Sequence, residues 1–214
     1  MRLRVQLAIL LLGAAAASAQ VVDRMVAVVN KRVILESELD QNVRVECLLQ
    51  GKSLDKFSAA ERAAVLDQMI DRALLEQQIM TADVLDPTPP EVAAQLSQVR
   101  QQVANANTDE GWKAALAAYG LSQQDVEEHL ISEFRLLRFV DLRFRGLVRV
   151  DKNAVTAYYQ EKFLPELRRR GAQEPPLSQV SEQIEKILAE QSIDQMLGRW
   201  LETLRAQAHI EKMG

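Results

Sequence analysis

The sequence predicts a mainly α-helical fold closed by one small β-sheet. Three observations predict it. Between Ser58 and Arg145, and again beyond Ser178, apolar residues recur at the three-to-four-residue spacing of helices that pack on one side. One stretch, MVAVVNKRVIL at residues 25–35, is β-branched and apolar, and Asn30-Lys31 breaks it into a hairpin. A single hairpin is marginal in water. The other strand-like segment, AHIEKM at residues 208–213, stands at the far end, so the two ends of the chain are expected to meet in one sheet.

Ahead of the hairpin, Arg2 and Arg4 form a basic start, residues 5–12 an apolar run, and Ala17-Ser18-Ala19 the small-residue pattern of a secretory cleavage site. The run falls short of the ~20 residues that span a bilayer. Residues 1–19 therefore read as a signal peptide, removed after Ala19, and the product as soluble outside the cytoplasm. Removing Arg2 and Arg4 takes the formal charge from −4 to −6. An acidic product without a basic stripe is a poor nucleic-acid binder.

The helices follow from their caps. In ESELD, Ser37 is a good N-cap, and the acids around it complement a helix dipole better than they suit a metal site. Ser58 and Glu61 form a capping box for a helix with Met69, Ile70, Ala73 and Leu74 on its stripe, running to about Thr81. Thr88, Pro89 and Glu91 open the next. Thr108-Asp109 starts a short helix through Trp112 and Leu116 that Gly120 stops. Ser122 caps a long helix to about Arg145, closed by Gly146. Asp151 opens a helix with Val155, Tyr158 and Tyr159, and Ser178 begins the last and longest one. Between these two lies a polar break with three prolines and Arg168, Arg169 and Arg170.

Motifs for catalysis are missing from the sequence. His129 and His209 stand far apart, with no second His or Cys at ligand spacing, and there is no phosphate-cradling glycine loop, nucleophile elbow or H-E-x-x-H. No cofactor or metal is expected. Cys47 cannot form an internal disulfide and reads as a small core residue.

The order of segments carries more than any motif. VVDRMVAVVNKRVILESELD, DQMIDRALLEQQ, YGLSQQDVEEHLISEFRLLRFVDLRFR, VDKNAVTAYYQEKF, PLSQVSEQIEKILAEQ and RWLETLRAQAHIEKM occur in the order found in the SurA family of periplasmic chaperones, which the chain resembles over nearly all of residues 20–214. The resemblance implies a chaperone module at residues 20–163, completed by a helix and strand at residues 177–214. In the family a parvulin peptidyl-prolyl isomerase domain sits between these parts. Here residues 164–176 hold that place, far fewer than the ~40 a chain needs to fold unaided, and no parvulin signature is present. The expected activity is ATP-independent holding of unfolded outer-membrane protein chains or peptides, without enzymatic activity. An accessory protein with one fixed partner on the same scaffold, or a family-labelled isomerase, remain the alternatives.

The resemblance supplies no contact residues, so binding candidates come from helical geometry. On the helix opened by Ser122, Val126, Leu130, Phe134, Leu137, Val140 and Phe144 share the better-defined apolar face, expected in the core. A second side carries Ile131, Leu136, Phe139 and Leu142 among Arg135 and Arg143. Helices apolar on two sides usually pack on both, yet an apolar patch with a polar rim also marks an interaction site. Phe139 is expected partly buried and Leu142 nearer an open groove, with Arg135 and Arg143 as a rim that can stack on aromatic rings. Mass spectrometry of the exported product should find a chain starting at Gln20; intact Met1 in a membrane fraction would contradict the leader reading.

Overall fold

The computed structural model describes residues 23–80, 82 and 84–213. The signal-peptide reading lies outside the described residues. The chain forms β1 (Met25–Val29), β2 (Arg32–Leu35), α1 (Glu36–Gln50), α2 (Ala59–Ile79), α3 (Pro89–Gln102), α4 (Asp109–Tyr119), α5 (Gln123–Phe144), α6 (Lys152–Tyr158), α7 (Leu164–Arg169), α8 (Leu177–Gln207) and β3 (Ile210–Lys212). The fold is mainly α, with one small sheet.

The ends of the described chain pair as expected. The strand order is β2-β1-β3, antiparallel throughout, with Val29 opposite both Arg32 and Ile210. Asn30 turns the hairpin in the left-handed conformation, which asparagine tolerates better than most residues. It also anchors the C-terminal strand: its N–H donates to the His209 carbonyl (2.7 Å), and its side-chain oxygen accepts from the His209 N–H (2.9 Å). Lys212 and Arg205 reach Asp67 and Asp71 on α2, fastening the same segment to the helical layer. One face of the sheet, through Ala27, Val29 and Ile34, joins Leu39, Val43 and Cys47 of α1 and Ile70 and Leu74 of α2 in the first core.

α1 is buried on a second side as well. Val45 and Leu48 meet Leu96 and Val99 of α3, Trp112 and Leu116 of α4, and Val126 and Leu130 of α5. The caps read from sequence at Ser58, Thr88, Thr108, Ser122 and Asp151 all stand at helix starts. Gly120 closes α4 in the left-handed conformation.

Four local expectations are corrected. α1 begins at Glu36, with Leu35 at the cap position donating its N–H to the Glu38 carboxylate (2.9 Å). Ser37 instead donates its hydroxyl to Asp23, which draws the incoming chain onto the helix start. α2 ends at Ile79, ahead of Thr81. Gly146 lies within a 3-10 turn, Arg145–Leu147, and adopts no left-handed cap. The largest difference concerns the polar break. The helix begun at Lys152 runs on through a π-helical turn, Tyr159–Phe163, into α7, so only the segment after Arg169 is loop. Pro165 follows directly on the π-helical turn; it has no N–H to give, so the continuous helix passes it with one ladder bond fewer.

This longer helix packs against the first half of α8 through Val155, Val180 and Ile184, with Tyr158, Tyr159 and Phe163 around them. The Tyr159 hydroxyl donates to the Pro175 carbonyl (2.8 Å) and ties the loop back. The 31 residues of α8 give it a length of ~46 Å. Its second half returns to the body, against α2 and α5. Removal of residues 208–214 strips β1 of one partner and frees the Lys212 contact, so the melting temperature should fall for the whole module; an unchanged transition would contradict this closure of the sheet.

Candidate peptide-binding groove

The site is built on the second half of α5, where the buried stripe rotates round the helix. In the first half, Val126 and Leu130 face the α1–α3–α4 core. In the second half, burial moves to Phe139, Val140 and Phe144, because α8 now lies alongside. Trp200 of α8 sits against both rings, 5.8 Å from Phe139 and 5.7 Å from Phe144 between centroids. The Arg143 guanidinium covers the Trp200 ring at 4.0 Å. This rotation leaves Phe134 half-buried and Leu137 63 % exposed on the side α8 does not cover.

The sequence-derived candidates therefore separate. Phe139 is only 4 % exposed and belongs to the core with Leu75 and Ile79, more deeply than the partial burial expected. Leu142 is 65 % exposed and lines a groove. Leu136 is half-buried, packing on the core below and lining a second hollow. Ile131 is half-buried in a separate furrow against Pro89, Val92 and Leu96. Arg135 is exposed and pairs with Asp86 (3.0 Å). Arg143 is exposed but stacks on Trp200 within the chain. Leu137, assigned from sequence to the core face, is instead a groove residue. Uniform 100° stepping treats α5 as packed along one line and carries no signal for a neighbour that crosses to another side.

Two hollows flank Leu137. The larger, about 1030 Å³, lies between α5, the segment joining α2 to α3, and the middle of α8. Val84, Leu85, Phe134, Leu137, Leu142 and Ile193 supply its apolar surface. The other, about 680 Å³, includes Leu49, Leu75, Val99, Leu136, Leu197 and Leu201. Phe134 and Leu137 line both, so the hollows adjoin along α5. Leu85 stands 75 % exposed at the edge of the larger one.

That exposure is held in place. Arg138 donates from one nitrogen to the carbonyls of Leu85 (3.1 Å) and Asp86 (2.8 Å), and from another to Glu91. The Thr88 hydroxyl and N–H also donate to Glu91. These bonds, Thr88 first and Arg138 after it, hold the Glu91 carboxyl down at about 2. The connecting segment is thereby pinned to α5 with its leucine outward.

On the far side of the second hollow, His129 and Arg72 separate it from a smaller cleft of about 280 Å³ lined by Arg32, Glu38, Gln41, Glu76 and Asp125. Polar groups there satisfy one another, as in the Gln41–Asp125 bond (2.7 Å) and the Arg32–Glu38 pair. It offers little to an apolar ligand. Burial, with the Arg72 charge second, lowers the His129 pKa to about 4. Among the described residues no three His, Cys, Asp or Glu side chains converge to hold a metal, and no helix is long and apolar enough to cross a membrane.

A family model described as a SurA-like N-terminal domain matches residues 4–139. A protein named Chaperone SurA from Pseudomonas syringae pv. tomato is 31 % identical over 152 residues, 69 % of this chain and 34 % of its own length. Proteins of the same name from Pseudomonas fluorescens Pf0-1 and Pseudomonas putida KT2440 are 30 % and 29 % identical, each over 68 % of this chain and 34 % of their own. The chain thus spans about a third of the length of the curated relatives it matches.

Phe139→Ala should cost ~3–5 kcal/mol of stability through the cavity it opens beneath Trp200. Leu142→Asp should leave the denaturation midpoint nearly unchanged, since its side chain is already in water. Similar losses for both would contradict the division into core and groove. For His129, a folded pKa below the unfolded ~6.5 means the unfolded chain binds the extra proton. Its contribution is complete above pH ~6.5 and is lost as pH falls towards about 4. His129→Gln should flatten the stability profile across that window, as read by urea denaturation at several pH values.

Proposed function

The chain belongs to the SurA-like N-terminal domain family, and on that premise we propose that it is an ATP-independent chaperone of the bacterial periplasm that holds unfolded outer-membrane protein chains. The observation that carries this reading is the pair of adjoining hollows over Phe134 and Leu137, flanked by Leu85 and Leu142. A leucine-lined surface with a charged rim is a place for another chain to dock. Its shallow, open form suits extended segments of varied sequence better than one fixed small molecule. Leu136 and Leu142 contribute apolar contact and Arg135 part of the rim; Ile131 extends the surface into the furrow against α3. Arg143 serves by holding Trp200, and Phe139 by supporting the helix from beneath.

The periplasmic location is supported by the basic, apolar and small-residue order of residues 1–19. The lack of isomerase activity is supported by residues 164–176, which supply α7 and a short loop tied back by Tyr159 where relatives of the type resembled carry a catalytic domain. Light scattering decides the main claim. Two unrelated outer-membrane proteins diluted from urea should stay soluble at near-equimolar protein, equally with and without ATP, while a protease-coupled proline-peptide assay stays at background. Failure to protect either protein, together with capture of one stoichiometric partner, would favour the accessory reading and overturn this one.

A further inference from the structure

The charges around the larger hollow are unbalanced, and the imbalance points to the kind of segment it takes. Asp86, Glu91, Asp141, Glu190 and Asp194 line it against Arg138 and Arg145. Both arginines are engaged: Arg138 with the α2–α3 segment and Glu91, Arg145 with Asp141. Asp86 is occupied by Arg135 from α5. Glu190 and Asp194 remain, one turn apart on α8, exposed, and with no ion pair or side-chain hydrogen bond among the described residues. Like charges at i and i+4 repel along a helix. Between them Ile193 turns inward to the core beside Val140 and Phe144. The hollow therefore has an apolar wall on α5 and two uncompensated carboxylates on α8.

We propose that this hollow selects client segments in which lysine or arginine stands close to large apolar residues, the apolar groups resting on Leu85, Leu137 and Leu142 and the cations meeting Glu190 and Asp194. The proposal rests on the chaperone reading above and deepens it by naming the chemistry of the bound segment. Lysine and arginine suit the arrangement because their aliphatic stems lie along apolar surface while the charged head reaches the rim. An acidic segment would bring like charge to the same wall, and complementary potentials govern partner choice more than they raise affinity overall.

The test uses two rhodamine-labelled twelve-residue peptides with leucine and phenylalanine at the same positions, one with lysine and the other with glutamate between them. Anisotropy with the purified protein should show the lysine peptide binding roughly five- to tenfold tighter at low salt, as expected for two partly exposed pairs. The gap should narrow at 0.3 M salt. In the double variant Glu190→Gln, Asp194→Asn the preference should vanish while both peptides still bind and the melting temperature holds. Equal binding of the two peptides to the unaltered protein, with Leu137→Asp weakening both, would overturn the charge selection and leave the chaperone reading standing. Preference retained in the double variant would also overturn it. Binding of neither peptide would overturn the selection and the groove assignment together.

Discussion

Trp200, wedged against Phe139 and Phe144 beneath the Arg143 guanidinium, is the contact on which the second half of the molecule depends. It fixes α8 to α5, and α8 reaches that point only after leaving the body to pack with α6 and its π-helical continuation. Once docked, the helix delivers β3 to the hairpin at the opposite end of the chain, where Asn30 and Asp67 receive it. Sheet, helical body and C-terminal helix are thus closed into one circuit. The same contact decides what stays open, because α5 turns its aromatic side to α8 and leaves Leu137 and Leu142 uncovered.

The parts legible in the sequence were those set by a few neighbouring residues. Ser58 with Glu61, Thr88 with Glu91 and Ser122 with Asp125 close local hydrogen-bond rings, so their helix starts can be read without knowing the fold. The hairpin and its third strand were legible because an unpaired two-stranded ribbon is unstable alone. Ser37 misled because Asp23, fourteen residues upstream, takes its hydroxyl. Pro165 and the arginine run hide the helix through Tyr159–Phe163, because a proline inside a helical stretch is read as its end, whereas here the helix passes it after a π-helical turn.

The site was legible only in part, and the reason is geometric. The helical face of Leu142 puts it nearer an open groove, and the structure exposes it. Phe139 is buried more deeply, and Leu137 far less, than a single helical stripe predicts, since the direction of α5's second neighbour is a tertiary fact with no local trace. The carboxylates of Glu190 and Asp194 stand some fifty residues further along the chain than Leu142, and nothing in their own surroundings marks them as part of a groove.

Site-specific photo-crosslinking tests the central claim most directly. A benzophenone amino acid placed at Leu137, at Leu142 and, as a reference on the exposed side of α8's first half, at Gln183 would be irradiated with an unfolded outer-membrane protein. The account predicts strong crosslinks from positions 137 and 142, weak ones from 183, and loss of all three when the same client is supplied folded. Crosslinking equal at 183, or absent from both α5 positions while aggregation is still suppressed, would contradict it.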